Sequence, residues 1–297
     1  MSRIVHLNGR YLPEDEAKVS VFDRGYLFAD GVYEVTAVID GKLIDFGPHM
    51  DRLSRSLGEL DMAWPVARDH LREVHEDLIE HNGLREGRVY MQVTRGVSER
   101  DFVYPTDVSS TLLAFTQAAR VTADPKAEAG VKAISIPDIR WKRRDIKSIA
   151  LLAQCMGKQR AAEAGAYEAW MYEDGYVTEG TSSTSYIVAD GRIITRGLSN
   201  AVLPGVTRLA IMRLAWERGM ALEERPFTLE EAYASQEAFL TSASALVLPV
   251  VEIDGRSIGD GRPGPIARRL RALYLEAALD GVSASMPVDK IRARGEW

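Results

Sequence analysis

Two segments of this 297-residue chain carry residue types that could do chemistry together. The first is Asp145-Ile146-Lys147-Ser148, whose lysine is one of only eight and leads into an apolar, helix-like run. A cation is disfavoured at a helix N-terminus, so on spacing alone a solvated lysine is the better reading. A partly desolvated amine behaves differently: it loses its proton more easily and attacks aldehydes. The second segment, Val177-Thr178-Glu179-Gly180-Thr181-Ser182-Ser183-Thr184-Ser185, sets one carboxylate beside a glycine and five successive hydroxyl residues. Read plainly, it is a polar turn. Read chemically, Glu179 could hold a protonated pyridine nitrogen while hydroxyls and backbone N–H groups bind an anionic substituent.

Weaker candidates surround these. Leu203-Pro204-Gly205-Val206-Thr207-Arg208 precedes an amphipathic stretch, which puts Val206 and Thr207 where free N–H groups and the helix dipole favour a phosphate. An N-cap without a ligand is the commoner use of such a segment. Ser242 and Ser244 add hydroxyls at a strand end. A nucleophilic triad is disfavoured, because His6, His49, His70, His75 and His81 all fall in the first third of the chain. Ligand clusters for a metal and a glycine-rich dinucleotide loop are not visible either.

The elements that must position these residues follow from periodicity. Val5 to Leu7 and Tyr11 to Leu12 flank Asn8-Gly9, a hairpin signature, and Gly31 to Ile39 meets Lys42 to Phe46 through Asp40-Gly41 in the same way. Helical spacing covers His49 to Leu60 and Arg68 to Glu80; alternation covers Arg88 to Thr94 and Thr111 to Thr116. The small, polar stretch Ala118 to Gly130, with Pro125, is the expected interdomain connection. Beyond it the pattern predicts a strand (131–136), a helix (148–164), a hairpin pair (168–172 with 185–188), a helix (206–218), a strand (238–241) and a last helix (265–279). The expectation is a mixed α/β or α+β chain: a domain over 1–122, a larger one over 123–282 and a loose tail over 283–297.

Composition narrows the class. With 46% apolar and 27% charged residues the chain is ordinary globular material, and a net charge of −6 with scattered basic residues disfavours nucleic-acid binding. The N-terminus reads as a strand rather than a signal peptide, and no segment approaches the roughly 18 uncharged apolar residues of a membrane span. A soluble, cytoplasmic protein is expected. The single cysteine, Cys155, falls in an apolar, helix-like stretch where packing is its expected role.

Taken together, the segments resemble the fold-type IV (class IV) pyridoxal-phosphate enzymes, most closely the D-amino acid aminotransferases. The resemblance spans nearly the whole chain. It is carried in order by Asp23-Arg24-Gly25-Tyr26-Leu27-Phe28-Ala29-Asp30-Gly31-Val32-Tyr33-Glu34, His49-Met50-Asp51-Arg52-Leu53, Gln92-Val93-Thr94-Arg95-Gly96, Asp138-Ile139-Arg140-Trp141, Asp145-Ile146-Lys147-Ser148, Thr178-Glu179-Gly180 and Gly205-Val206-Thr207-Arg208. It implies pyridoxal 5′-phosphate on Lys147 as a Schiff base and Glu179 as the pyridinium partner. Arg52, Val206 and Thr207 would bind the phosphate, with Leu203 against the ring and Ser242 and Ser244 as further contacts. It also implies a small N-terminal domain, a larger C-terminal domain with a barrel-like sheet, and a homodimer. The reaction implied is transfer of an amino group from a D-amino acid to 2-oxoglutarate or pyruvate in two half-reactions.

The substrate contacts depart from the family pattern. Tyr33 and Arg100 match a carboxylate trap, but Phe102 stands where a histidine is usual. Ser182 is a further candidate, and Arg88 is an alternative carboxylate ligand if it shares a strand face with Tyr90 and Gln92. Asp101 could compete for Arg100. An (R)-selective amine:pyruvate transaminase is therefore a neighbouring reading, with a branched-chain enzyme or a lyase on the same scaffold behind it. Leu152, five residues after Lys147, stands where branched-chain enzymes usually have tyrosine; Ala243 and Thr184 replace an expected threonine and asparagine.

Overall fold

In the computed structural model, residues 2–280 are described, so the expected tail over 283–297 lies outside the described residues. The chain falls into two compact units: residues up to Val121 together with Ile146–Leu151, and Thr122–Asp145 together with the described residues from Leu152 onward. The segment Ile146–Leu151, expected in the second domain, thus belongs to the first unit.

The first unit runs β1 (Ile4–Leu7), β2 (Arg10–Pro13), α1 (Arg24–Phe28), β3 (Gly31–Ile39), β4 (Lys42–Leu43), α2 (Phe46–Glu59), α3 (Arg68–His81), β5 (Gly87–Thr94) and β6 (Thr111–Ala118). These strands form one sheet in the order β2-β1-β6-β5-β3-β4. Asn8 (φ 48°) and Gly9 (φ 81°) supply the two left-handed residues that a tight β1-β2 turn requires. Phe46, expected in a strand, opens α2 instead. Alternation decides the faces: Val89, Met91 and Val93 of β5 are fully buried and pack with Met50, Leu53 and Leu57 of α2 and Leu71, Val74 and Leu78 of α3. Each large side chain so buried contributes roughly 1.5–3 kcal/mol on leaving water. The opposite face, with Tyr33, Arg88, Tyr90, Gln92 and Phe115, is only half-buried.

The second unit runs α4 (Pro125–Ala129), β7 (Val131–Pro137), α5 (Leu152–Glu163), β8 (Glu168–Glu173), β9 (Tyr176–Gly180), β10 (Thr184–Ala189), β11 (Arg192–Thr195), α6 (Val206–Glu217), β12 (Ala221–Glu224), α7 (Leu229–Tyr233), β13 (Glu237–Ser242), β14 (Leu246–Ile253), β15 (Arg256–Ser257) and α8 (Pro265–Leu279). Its sheet has the order β12-β11-β10-β13-β14-β7-β8-β9, with β15 on β14. Strands β9 and β10 stand five places apart in that order, yet only residues 181–183 join them. Five flat strand spacings would need about 24 Å, whereas four residue steps reach only about 14 Å. The sheet must therefore curl, and it forms a half-barrel. The expected hairpin of β8 with β10 is replaced by β8 with β9, while β10 pairs with β11 and β13. Strand β9 reads as a polar turn in the sequence because Thr178, Glu179 and Gly180 leave it without an apolar alternation.

Helix α5 begins at Leu152 rather than Ser148. Residues 147–149 direct their backbone groups to β3 instead: Tyr33 N–H donates to Lys147 O (3.0 Å) and Ile149 N–H to Gly31 O (3.0 Å). A sheet-like pairing of a segment with two isoleucines thus overrides a helical apolar pattern. Cys155 lies exposed on α5, so it does not pack as expected. Among the described residues no helix is long and apolar enough to cross a membrane.

Candidate active site

In the first unit, Lys147 is fixed by its backbone. Besides the bond from Tyr33, its own N–H donates to Ser56 Oγ (3.2 Å), and Ser148 bridges to Val32. Its side chain turns onto the half-buried sheet face, where Nζ sits 4.1 Å from the centroid of the Tyr33 ring. Among the described residues it has no carboxylate partner. Tyr33 stacks on Tyr90 (5.6 Å) and Tyr90 on Phe115 (4.9 Å), so the amine faces an aromatic ladder. Tyr90 donates to Gln92 Oε1 (2.8 Å), and burial pushes its phenol up. Arg88 does share the face of Tyr90 and Gln92, but it pairs across from Ala37, four residues along β3 from Tyr33, and donates to Gln117 Oε1 (2.9 Å).

Beneath the sheet lies Glu34, fully buried. Arg52 grips it bidentately (Nε to Oε1 2.8 Å, an Nη to Oε2 2.7 Å), and His49 Nδ1 reaches Oε2 at 2.8 Å. Burial alone would raise this carboxyl, but Arg52 and His49 outweigh it and hold it down to about 2. Sequence reading places the histidines away from the chemistry; α2 brings His49 one turn from Arg52 and onto the same carboxylate.

Arg100 and Phe102 lie on the loop between β5 and β6, a different element from Tyr33. The Arg100 guanidinium is 5.2 Å from the Phe28 ring and 5.5 Å from the Phe102 ring, and it forms no ion pair with Asp101. The Asp101 carboxylate instead caps Val103 N–H, while its carbonyl accepts from Arg24.

In the second unit, Glu179 is the penultimate residue of β9 and almost fully buried. Arg140 donates to its Oε1 at 2.6 Å, and the Leu203 N–H lies 3.1 and 3.2 Å from its two oxygens. Leu203 therefore meets Glu179 through its backbone. Arg140 is itself clamped by Asp138 (3.0 and 2.7 Å), which also accepts from Thr178 Oγ1 (2.7 Å). Burial raises the Glu179 carboxyl, with Arg140 and the Leu203 N–H opposing. The motif Asp138-Ile139-Arg140-Trp141 thus acquires a function that spacing could not reveal: its arginine is the counter-ion of Glu179.

Helix α6 starts at Val206 behind Gly205, with no side chain capping it. Thr207 is buried there, and among the described residues its hydroxyl has no hydrogen-bond partner. A buried orphan hydroxyl beside uncapped N–H groups is the donor set of an anion site. Ser242 ends β13 and Ser244 lies on the turn after it, their hydroxyls 3.3 Å apart. Ser182 Oγ is turned onto Glu168 (3.2 Å).

Residues 31–253 match the amino-transferase class IV family, and the chain belongs to it. It is 38% identical to the D-alanine aminotransferase of Staphylococcus aureus (strain N315) over 268 residues, 90% of this chain and 95% of that one. Against the D-alanine aminotransferase of Bacillus licheniformis the identity is 38% over 275 residues, 93% and 97% of the two chains. Among solved structures, the T.th. branched-chain amino acid aminotransferase with pyridoxamine 5′-phosphate superposes with a TM-score of 0.83 at 27% identity, covering 97% of this chain and 96% of that one.

Proposed function

We propose that this chain transfers the amino group of a D-amino acid to a 2-oxo acid, 2-oxoglutarate or pyruvate, with pyridoxal 5′-phosphate as cofactor. The observation that carries the reading is Lys147: an amine without a carboxylate partner among the described residues, laid on an aromatic ring and pinned through its own backbone to β3. Bound pyridoxal 5′-phosphate supplies an aldehyde that condenses with amines and a ring that accepts the electrons of a breaking Cα–H bond. Lys147 Nζ would hold the cofactor and, once free, would carry the proton at the donor α-carbon. Glu179 would be the partner of the ring nitrogen, with Arg140 and the Leu203 N–H opposing the upward push of burial on its carboxyl. The uncapped N–H groups of Val206 and Thr207, the Thr207 hydroxyl and Arg52 are the phosphate ligands; Ser242 and Ser244 supplement them. Leu203, which meets Glu179 through its backbone, would lie against the ring.

Tyr33 and Arg100 are the carboxylate contacts of the donor; Arg88, bonded to Gln117, and Ser182, turned onto Glu168, are lesser candidates. The active form is a homodimer in the cytoplasm. The relatives at 38% identity support a D-amino acid over a branched-chain substrate. The aromatic flanks of Arg100 favour one second reading, an (R)-selective amine transaminase whose donor has no carboxylate.

The test begins with borohydride reduction of the cofactor-loaded protein and peptide mapping. The label should fall on Lys147; a label on Lys142 or Lys158 overturns the assignment. The same protein mixed with D-alanine, L-leucine or (R)-1-phenylethylamine should lose its visible absorbance band with D-alanine. Loss with the (R)-amine alone moves the substrate to the second reading.

A further inference from the structure

Glu168 is a buried carboxylate that the proposed reaction does not use. It opens β8 at 1% exposure and has its acceptors filled from one short loop. Its Oε1 accepts from Thr181 Oγ1 and from the Ala169 N–H (3.0 Å); its Oε2 accepts from Ser182 Oγ (3.2 Å) and Ser183 Oγ (3.0 Å). Lys158 of α5 stands 3.3 Å from Oε1 and balances the charge. The loop closes on itself through Gly180 N–H to Ser183 O (2.8 Å) and is tied to β8 through Thr181 N–H to Ala169 O (3.1 Å). A Cβ on Gly180 would come within 2.2 Å of Ser183 Oγ, so a side chain there would have to displace that hydroxyl.

The place of this loop matters more than its polarity. Glu179 is the residue before Gly180, and its carboxylate receives the Leu203 N–H. Thr184 follows Ser183, and its hydroxyl lies 3.0 Å from where a Cβ on Gly205, the N-cap of α6, would stand. One carboxylate therefore anchors the stretch of chain that runs from the partner of the ring nitrogen to the phosphate-binding helix start.

We propose that Glu168 is a positioning residue: by gathering the hydroxyls of Thr181, Ser182 and Ser183 it fixes the loop and, through it, the register of Glu179 against the start of α6. The inference rests on the proposed cofactor reading of those two features. It also assigns the hydroxyl run a job. Three side chains turn inward to one acceptor, so the loop meets a ligand through its backbone rather than through Ser182 Oγ.

The experiment compares full-length wild type with Glu168→Gln, Glu168→Ala and, as a control, Glu237→Gln. Glu237 is a buried carboxylate of the same unit that caps α8 through the Ile266 and Ala267 N–H groups. Two quantities are read: half-saturation by pyridoxal 5′-phosphate from the visible absorbance, and amide exchange of residues 177–186 in the cofactor-free protein. Glu168→Ala should raise half-saturation at least about tenfold, the factor equivalent to one ordinary lost hydrogen bond, and speed exchange in that peptide. Glu168→Gln keeps one acceptor oxygen and should fall between. Glu237→Gln should lower the melting temperature while leaving half-saturation and that peptide unmoved. If Glu168→Ala does not fold, Glu168→Gln decides by the same two readouts. Half-saturation within about twofold of wild type together with unchanged exchange overturns the inference while the cofactor reading stands. A wild type that binds no cofactor overturns both.

Discussion

Glu34 and Glu179 are both buried carboxylates paired with an arginine, one in each unit, yet their surroundings drive them in opposite directions. Glu34 is gripped bidentately by Arg52 and again by His49, and its carboxyl is held down to about 2. Glu179 receives one guanidinium contact, because the rest of Arg140 is turned to Asp138, and burial raises its carboxyl. The lesson is that the number of donors, not the presence of an arginine, sets what a buried carboxylate does. A saturated one is a fixed anchor; an under-compensated one retains a strong demand for a further positive partner. A protonated ring nitrogen is such a partner.

Removing the grip on the anchor should have the largest effect. Arg52→Ala leaves the Glu34 charge buried with only His49 beside it, and breaking a buried pair in this way costs about 3–5 kcal/mol. Urea unfolding should show the loss; a midpoint unchanged from wild type would mean that Glu34 is not the anchor described here. The responsive carboxylate should behave in the reverse sense. Glu179→Gln is expected to change stability by about 1 kcal/mol or less and to reduce kcat on the order of 100-fold. Steady-state rates beside a melting curve separate the two, and equal losses of stability in both variants would erase the contrast.

The smallest effect belongs to a third buried group, His75, whose ring is lowered to about 4 by burial against the bond from its Nδ1 to Leu71 O. Its folded value lies below its ordinary 6.5, so the unfolded chain binds the proton first and stability falls as pH drops from about 6.5 toward 4. The slope is at most about 1.4 kcal/mol per pH unit. The Glu34 contribution is lost further down, as pH falls from the ordinary 4.5 toward 2. His75→Phe should flatten the upper window and leave the lower one in place; a persistent slope above pH 5 would assign it elsewhere.

These contrasts are only partly legible in the chain. Local signals define α3, α6, α8 and the β1-β2 turn to within a residue or two, because helical spacing and Asn-Gly chemistry are written locally. The candidates Lys147 and Glu179 are singled out by the order of motifs. What surrounds them is not. Lys147 reads as a cation badly placed at a helix start, whereas its segment pairs with β3 and meets no helix dipole. Strand β9 is masked by Thr178, Glu179 and Gly180, and both Arg140 on Glu179 and His49 on Glu34 are contacts between residues 39 and 15 positions apart. No periodicity encodes such pairs; only the sheet registers create them.

The six residues Ile146–Leu151 also bear on inheritance. The chain leaves the first unit after Val121, returns to it for this one segment and leaves again. A gene fragment ending near residue 121 would encode the first unit without the strip that occupies the Gly31 carbonyl and the Tyr33 N–H, and without its lysine. Neither unit is thus a portable cassette. Shuffling or duplication of one alone would either discard Lys147 or carry it away from the β3 backbone that holds it.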